Sequence, residues 1–259
     1  MRATMIVGVV TLVGLFLGML LLLEVGRRIR LRLMAKDIEK PVAGLGVVEG
    51  ALFGLMGLVI AFTFSGAASR FDARRHLVVE EANTIGTAYL RLDLLPASAQ
   101  PRLREKFRQY VDARLETYRV LPDLDAAMAQ LAKANELQRE IWSQSVVATR
   151  EATNPQTAML LLPVLNAMFD IANTRYWATQ IHPPLFIFAL LAMLALICSL
   201  LAGFGMAGGK ARNWIHIVAF AAILTLTVYV IVDMEYPRMG FIRVDAFDQV
   251  LVDARANMQ

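Results

Sequence analysis

The sequence predicts an all-α membrane protein with four transmembrane helices and a helical extra-membrane region between the second and the third. Of the 259 residues, 57% are hydrophobic and only 19% are charged, which is more apolar than a soluble domain. The apolar residues are concentrated in four long runs, and no stretch shows the alternation typical of a β-strand. This composition excludes a disordered chain, a disulfide scaffold and an ordinary soluble enzyme.

Each of the four apolar runs is long enough to cross a hydrocarbon core of about 30 Å, which takes roughly 20 helical residues. The first extends from Met5 to Leu23 and is longer than the apolar core of a cleaved signal peptide, so we expect a retained span. The second lies between Lys40 and Arg70. The third extends from about Pro183 to Met206, and the fourth from Trp214 to Val232.

The runs divide the chain into four parts. Residues 1–69 hold the first two spans and a basic loop, 70–182 the extra-membrane helices, 183–232 the last two spans, and 233–259 a C-terminal tail. An even number of spans places both termini and the extra-membrane region on one side of the membrane.

The two short loops carry eight basic residues: Arg27, Arg28, Arg30, Arg32, Lys36, Lys40, Lys210 and Arg212. Seven basic residues lie near the membrane on the other side. By the positive-inside rule this margin favours cytoplasmic short loops and a periplasmic extra-membrane region, but it is too narrow to fix the orientation.

The second span is predicted to continue as a helix beyond the membrane. No proline occurs from Leu45 to Leu95, and the helical pattern persists past Arg70. A helix of about 50 residues would be ~75 Å long. Pro96 and Pro101 are expected to end it and to start the next helix.

Three further helices are predicted in the extra-membrane region. Residues 103–118 carry apolar side chains at helical spacing, Asp123 is a suitable N-cap for the following helix, and Asn154 precedes the last one. With 14 Lys and Arg against 13 Asp and Glu, residues 70–182 are nearly neutral. We therefore expect no nucleic-acid binding.

No residue pattern indicates an enzyme, a metal site or a cofactor. The three histidines are scattered, and no glycine-rich phosphate loop is present. Glu80 and Glu81 are adjacent, but adjacent residues point in different directions on a helix, so we interpret them as a solvated or salt-bridged face. No catalytic residue is expected.

The second span carries two lines of small residues that would let another helix approach closely. The first line is Gly46, Gly50 and Gly54, and the neighbouring line is Gly57, Ala61 and Ser65. Gly14 and Gly18 show the same spacing in the first span. Because small residues at this spacing drive helix association in lipid, we expect a close contact. Its partner is either the first span of the same chain or another subunit.

A line of larger residues on the second span, with Phe53, Ile60 and Phe64, either faces lipid or forms a hydrophobic pore neck. Aromatic rings have positive edges, so such a neck would tolerate a passing anion. Three basic residues just beyond the span would form a basic mouth: Arg70, Arg74 and Arg75. Their charge would raise the local anion concentration.

Two other groups of polar residues are candidate sites. Glu49 lies inside the second span, where it is either paired with an arginine of the first loop or faces a pore and favours cations or protons. In the last extra-membrane helix, Asn166, Asp170 and Arg175 would form a polar cluster near the third span. Such a cluster either anchors the helix or binds an ion.

Two stretches resemble the bestrophin-like membrane family of bacteria. They are the motifs from Val48-Glu49-Gly50 through Ala61-Phe62-Thr63-Phe64-Ser65-Gly66-Ala67 to Arg70-Phe71-Asp72-Ala73-Arg74-Arg75, and the segment from Glu81 to Arg91. Weaker similarities are Asn166-Ala167-Met168-Phe169-Asp170 and Tyr236-Pro237-Arg238-Met239-Gly240. The resemblance covers nearly the whole chain.

Bestrophins are pentameric anion channels with four spans per subunit and a pore lined by the second span. The resemblance therefore implies a homo-oligomer in the bacterial inner membrane, with a pentamer and small anions as the expected assembly and cargo. The chain departs from bestrophins in carrying Glu49 and in lacking their sequence signatures. The alternatives are a non-conducting membrane scaffold that binds a partner protein, and a cation- or proton-coupled transporter that uses Glu49.

Overall fold

A computed structural model describes residues 2–35, 45–208 and 214–258, and in these ranges every regular element is a helix. The all-α prediction is therefore confirmed. The α-helices are α1 (Arg2–Met34), α2 (Leu45–Leu90), α3 (Gln100–Arg119), α4 (Leu124–Glu151), α5 (Gln156–Ala178), α6 (Leu185–Gly205), α7 (Trp214–Glu235) and α8 (Gln249–Ala256). Short 3-10 turns follow α2 (Arg91–Leu94) and α6 (Met206–Gly208) and precede α8 (Asp245–Asp248).

The chain packs into two compact units. The first unit comprises Met1–Ser69 and His182–Glu235, and the second comprises Arg70–Ile181 and Tyr236–Gln259. The long helix α2 contributes residues to both. The C-terminal segment, which the sequence suggested as a separate tail, belongs to the second unit and places Leu251 in its core.

Five described helices are long and apolar enough to cross a membrane by length and composition. Four of them overlap the predicted spans, and the fifth is α5. In the second unit, however, α5 buries Leu161, Leu165 and Met168 completely among the side chains of other helices. Length and composition alone therefore do not decide the number of spans.

Helix α1 extends further than the predicted first span, because it continues to Met34. The arginines expected in the first loop, from Arg27 to Arg32, are thus helical and lie in the last turns of α1. The other basic residues predicted for the two short loops lie outside the described residues: Lys36, Lys40, Lys210 and Arg212.

In the first unit, α1 packs mainly against α6 and α7. Two glycines allow the backbones of α1 and α6 to touch. A Cβ atom on Gly203 would lie 1.9 Å from the carbonyl oxygen of Leu23, and one on Gly26 would lie 2.0 Å from that of Leu200. Small residues thus permit a close helix contact here, but at Gly26 and Gly203 rather than at the glycines whose spacing predicted one.

Replacing Gly203 with alanine is expected to destabilise the first unit by about 1–3 kcal/mol, the usual cost of overpacking a tight contact. Gly205 provides the matched control in the same helix, because none of the described atoms outside its own helical neighbourhood lies within 4 Å of an added Cβ. Thermal unfolding of the detergent-purified protein should show a lower midpoint for Gly203→Ala only. Equal midpoints for both variants would contradict a backbone contact at Gly203.

The core of the second unit is formed by side chains of α2, α3, α4, α5 and α8. The predicted helix starts are confirmed. Asp123 caps α4, since its carboxylate accepts a hydrogen bond of 3.1 Å from the Ala126 amide. Asn154 accepts one of 2.9 Å from the Gln156 amide, where α5 begins. Both side chains satisfy amide donors that have no partner inside the helix, although the N-cap position of α5 itself is occupied by Pro155.

Candidate functional site

One face of α2 in the first unit is packed against the other helices of that unit. Met56 and Ala67 are buried on this face, among side chains of α6 and α7. Phe53 is half-buried, and its ring lies edge-on to that of Phe220, with 6.3 Å between the ring centroids. Ile60 is also half-buried and joins the same clusters. Both Phe53 and Ile60 therefore contribute to packing within the chain.

The opposite face of α2 is exposed in the chain. Among the described residues, no atom outside the helix's own neighbourhood lies within 4 Å of a Cβ placed on Gly50, Gly54 or Gly57. Phe62 is 70% exposed and Phe64 is 44% exposed. The small-residue lines therefore do not serve the contact between the first two spans, which was one of the two predicted uses.

The predicted neck residues lie along one line of α2, at the margin between its packed and exposed faces. The spacing of seven and four residues between Phe53, Ile60 and Phe64 keeps them within a narrow sector of the helix. Of the three, Phe64 is the most exposed. Phe64 is therefore the member of the line that a neighbouring molecule or a pore would meet.

Glu49 lies in the second turn of α2 and is half-buried. Its predicted partners, the arginines of the first loop, lie in the last turns of α1. Two of the basic residues predicted for that loop have another partner. Arg28 donates a hydrogen bond of 2.7 Å to Glu24, and Arg27 lies 3.6 Å from the same carboxylate.

The three predicted mouth arginines have different environments. Arg74 is buried, and its guanidinium donates hydrogen bonds of 3.0 Å to the carbonyl oxygens of Ala178 and Ile181, at the end of α5. It thus caps a helix C-terminus, which favours a cation there. Arg75 pairs with Asp72 at 3.0 Å, while Arg70 is half-buried. Arg74 therefore stabilises the end of α5, which differs from the exposed position that the prediction of a basic mouth gave it.

The predicted polar cluster of α5 is divided between two faces of the helix. Asn166 and Asp170 share one face and are exposed, as their spacing of four residues predicts. Arg175 lies on the opposite face and is buried. The structure thus does not bring the three side chains together.

Arg175 instead belongs to an ion-pair network that the sequence did not reveal. At its centre lies Glu81 of α2, whose side chain is fully buried. One carboxylate oxygen accepts a hydrogen bond of 2.6 Å from Arg114 Nε, and the other accepts one of 2.6 Å from Arg175 Nη1. Burial alone would raise the pKa of this carboxyl, but the two guanidinium groups lower it to about 2. Glu81 is therefore ionised at neutral pH.

The network extends to the C-terminal segment through Asp248. Arg175 donates a hydrogen bond of 2.9 Å to this carboxylate, and Arg238 donates two, of 2.7 and 2.9 Å. The ring of Tyr118 packs against both guanidinium groups, with distances of 3.9 Å to Arg175 and 4.4 Å to Arg238. Such stacking supports a buried arginine through the ring's negative face. The network thus ties α2, α3, α5 and the C-terminal segment together.

One signal in the sequence marks Glu81. The buried apolar residues Val78, Ala82, Ile85 and Ala88 recur on α2 at helical spacing, and Glu81 lies within the same stripe. The prediction of a solvated or salt-bridged face treated Glu80 and Glu81 alike, although only Glu80 is exposed. The partners of Glu81 could not be predicted from the sequence, because Arg114 and Arg175 are 33 and 94 residues away along the chain.

The described residues contain no group of three or more His, Cys, Asp or Glu side chains that would hold a metal ion. The exposed face of α2 and the buried Glu81 network are the most distinctive features of the described residues.

Comparisons with known proteins agree on one family. A family model for the Bestrophin-like domain matches residues 13–246. Two point mutants of a bacterial bestrophin homologue from Klebsiella pneumoniae each match with a TM-score of 0.71 and cover 95% of this chain. The first is 15% identical and is covered over 98% of its own length. The second is 16% identical and is covered over 97% of its length. Another crystal structure of this homologue has a TM-score of 0.68 and 15% identity, covering 94% and 98%. A comparison with curated protein sequences finds no match.

At this identity the structural likeness shows the fold alone. The family model, in contrast, extends over most of the sequence, from the middle of α1 to the turn before α8. The predicted family is thereby confirmed. The apolar helices and the family agree that the chain enters a membrane. The chain belongs to the bestrophin-like family and is a bestrophin-like membrane protein.

Proposed function

We propose that the protein is a homo-oligomeric channel of the bacterial inner membrane that conducts small anions, without a catalytic role. The proposal uses four spans, provided by α1, α2 up to Ser69, α6 and α7. The burial of α5 within the second unit supports leaving it out of the membrane. The resemblance to bestrophins supports a pentamer.

The exposed face of α2 carries this proposal. Gly50, Gly54 and Gly57 leave a flat surface on which nothing in the described chain is packed. In lipid, such surfaces favour close approach of another helix, because apolar side chains gain little by leaving the acyl chains. Helix α2 of a neighbouring subunit offers the matching surface. A ring of α2 helices around a symmetry axis would follow.

A ring of α2 helices would place Phe64 near the axis. A hydrophobic constriction of this kind gates by dewetting, and the positive edges of aromatic rings favour anions over cations. We assign Phe53 and Ile60 to the same neck line, with packing on α6 and α7 as their support for Phe64. Arg70 and Arg75 follow the span and would supply the basic mouth.

The decisive experiment is chloride flux from liposomes that contain the purified protein, with a potassium ionophore that balances charge. We expect chloride release above that of empty liposomes. Gly54→Leu, which places a large side chain on the exposed face, should abolish release and yield monomers in mild detergent. Gly14→Leu in α1 is the matched control, since a Cβ on Gly14 also meets nothing within 4 Å among the described residues.

Two outcomes would contradict the proposal. A wild-type protein that is monomeric in mild detergent and releases no chloride would instead support a membrane scaffold that binds a partner through its second unit. Release of protons or cations that depends on Glu49, lost in Glu49→Gln while chloride stays inside, would support the transporter.

A further inference from the structure

A cavity of about 300 Å³ opens in the first unit between the end of α1, the end of α6 and the start of α7. Its walls are mostly apolar and include Leu20, Leu23 and Ile217. Its polar lining comes from Glu24 and Arg27, one turn apart on α1. The size is at the lower end of the range for small-molecule sites, which are typically apolar with a few polar groups.

The position of the cavity along α1 is that of a membrane interface. The uncharged run of the first span ends at Leu23, and charged residues begin with Glu24. Trp214, which also lines the cavity, is the first residue of α7 and is half exposed. Tryptophan is enriched where spans leave the hydrocarbon core. The apolar wall therefore faces the acyl chains and the polar rim faces the headgroups.

The charge at the rim is positive. Glu24 is the acidic residue here, and its carboxylate is bound by Arg28 at 2.7 Å. Arg27 forms an ion pair of 3.6 Å with the same carboxylate, and its side chain is 30% exposed. Arg30 and Arg32 follow within the next two turns of α1. Arg27 lines the cavity, and its guanidinium has five donors, more than the ion pair with Glu24 can use. The other arginines of this end of α1 add further positive charge.

We propose that this cavity binds an anionic phospholipid, with part of an acyl chain between α1 and α7 and the phosphate at Arg27. A guanidinium matches the geometry of a phosphate and forms two parallel hydrogen bonds with it. The apolar walls select a lipid over a soluble phosphate, because a phosphate alone would leave them facing water. The site is independent of conduction and of the exposed face of α2.

Fluorescence of Trp214 tests the site directly. Trp142→Phe and Trp177→Phe leave Trp214 as the single reporter. In mixed liposomes, phosphatidylglycerol with brominated acyl chains should quench Trp214 at about fivefold lower mole fraction than brominated phosphatidylcholine, the effect of one arginine at an anionic headgroup. Equal quenching by the two lipids would overturn the proposal.

Two charge-removing variants separate a site from general attraction to the membrane surface. Arg27→Gln should abolish the preference for phosphatidylglycerol, and Arg27→Lys should retain part of it. Arg32→Gln removes the same charge from the last turn of α1 without touching the cavity, so it should leave the preference intact. Equal losses in Arg27→Gln and Arg32→Gln would show surface attraction and overturn the site.

Two further measurements complete the test. Native mass spectrometry of the unmodified chain should show retained phosphatidylglycerol in the wild type and little in Arg27→Gln, independently of the tryptophan replacements. Water-soluble glycerol phosphate should not displace the brominated lipid at equal concentration. Displacement would mean that the site recognises phosphate alone, which would overturn the assignment of a lipid.

Discussion

Replacing Glu81 with glutamine is expected to destabilise the second unit by about 3–5 kcal/mol, the usual effect of removing one partner from a buried ion pair. The carboxylate neutralises Arg114 and Arg175, both of which are buried. Glutamine has nearly the same shape but no charge, so both guanidinium groups would stay buried without a counter-ion. Since whole domains are stable by only about 5–15 kcal/mol, this loss is a large fraction of the total.

Glu80→Gln is the matched control for this variant, because Glu80 is the neighbouring residue and is exposed. Hydrogen exchange measured by mass spectrometry gives a local readout. In Glu81→Gln, exchange should accelerate in α3 and in residues 245–256, which the network holds, while Glu80→Gln should match the wild type. Unchanged exchange in both variants would mean that the network contributes little to stability.

The ionisation of Glu81 also makes the stability of the second unit depend on pH in the acid range. Its pKa in the folded chain is about 2, below the ordinary value of 4.5, so its contribution is complete above pH 4.5 and is lost as the pH falls towards 2. This lowering of the pKa corresponds to a contribution of about 3 kcal/mol to the free energy of unfolding. Wild-type protein should therefore lose stability over this interval, and Glu81→Gln should lack that part of the pH dependence.

Replacing Phe64 with alanine is expected to raise chloride flux through reconstituted protein by about tenfold, which corresponds to a barrier lower by about 1.4 kcal/mol. The reason is that every subunit of the proposed ring would lose a bulky ring at the neck, so that water and ions enter more easily. The exposure of Phe64 in the chain is consistent with this role, since its removal leaves no large cavity within the subunit.

Phe53→Ala separates conduction from packing. Phe53 is half-buried against Phe220, so its loss should lower thermal stability without a comparable rise in flux. Flux should be normalised to the amount of oligomer in the liposomes, because a destabilised variant inserts less. If Phe64→Ala conducts at the wild-type rate while the wild type is active, Phe64 does not line the neck.

Many of the helices could be predicted from local sequence patterns. Proline-free apolar and amphipathic runs predicted the long helix α2, and Asp123 and Asn154 predicted the starts of α4 and α5. These features depend on residues within a few positions of each other. A cap or a helical stripe is therefore determined by local spacing and by the hydrogen-bonding groups of adjacent residues.

The contacts between helices were less predictable. The spacing of Gly14 and Gly18 predicted a close helix contact, yet the tightest contact of α1 uses Gly26 and Gly203. These two glycines lie in separate helices that are far apart in sequence. Spacing shows that a helix has a flat face, but it does not name the helix that covers it. In the same way, nothing local distinguished Arg74, which caps α5, from an arginine at an open mouth.

The sequence by itself determined that this is an all-helical membrane protein of the bestrophin-like family, since composition, apolar runs and family motifs follow the chain order. Only the tertiary structure decided that Glu81 joins Arg114 and Arg175 in a buried network, that α1 packs on α6, and which face of α2 remains exposed. The physical reason is that burial and ion pairing depend on which distant segments meet. A helix carries several faces, and the packing of the other helices selects the ones that remain available for function.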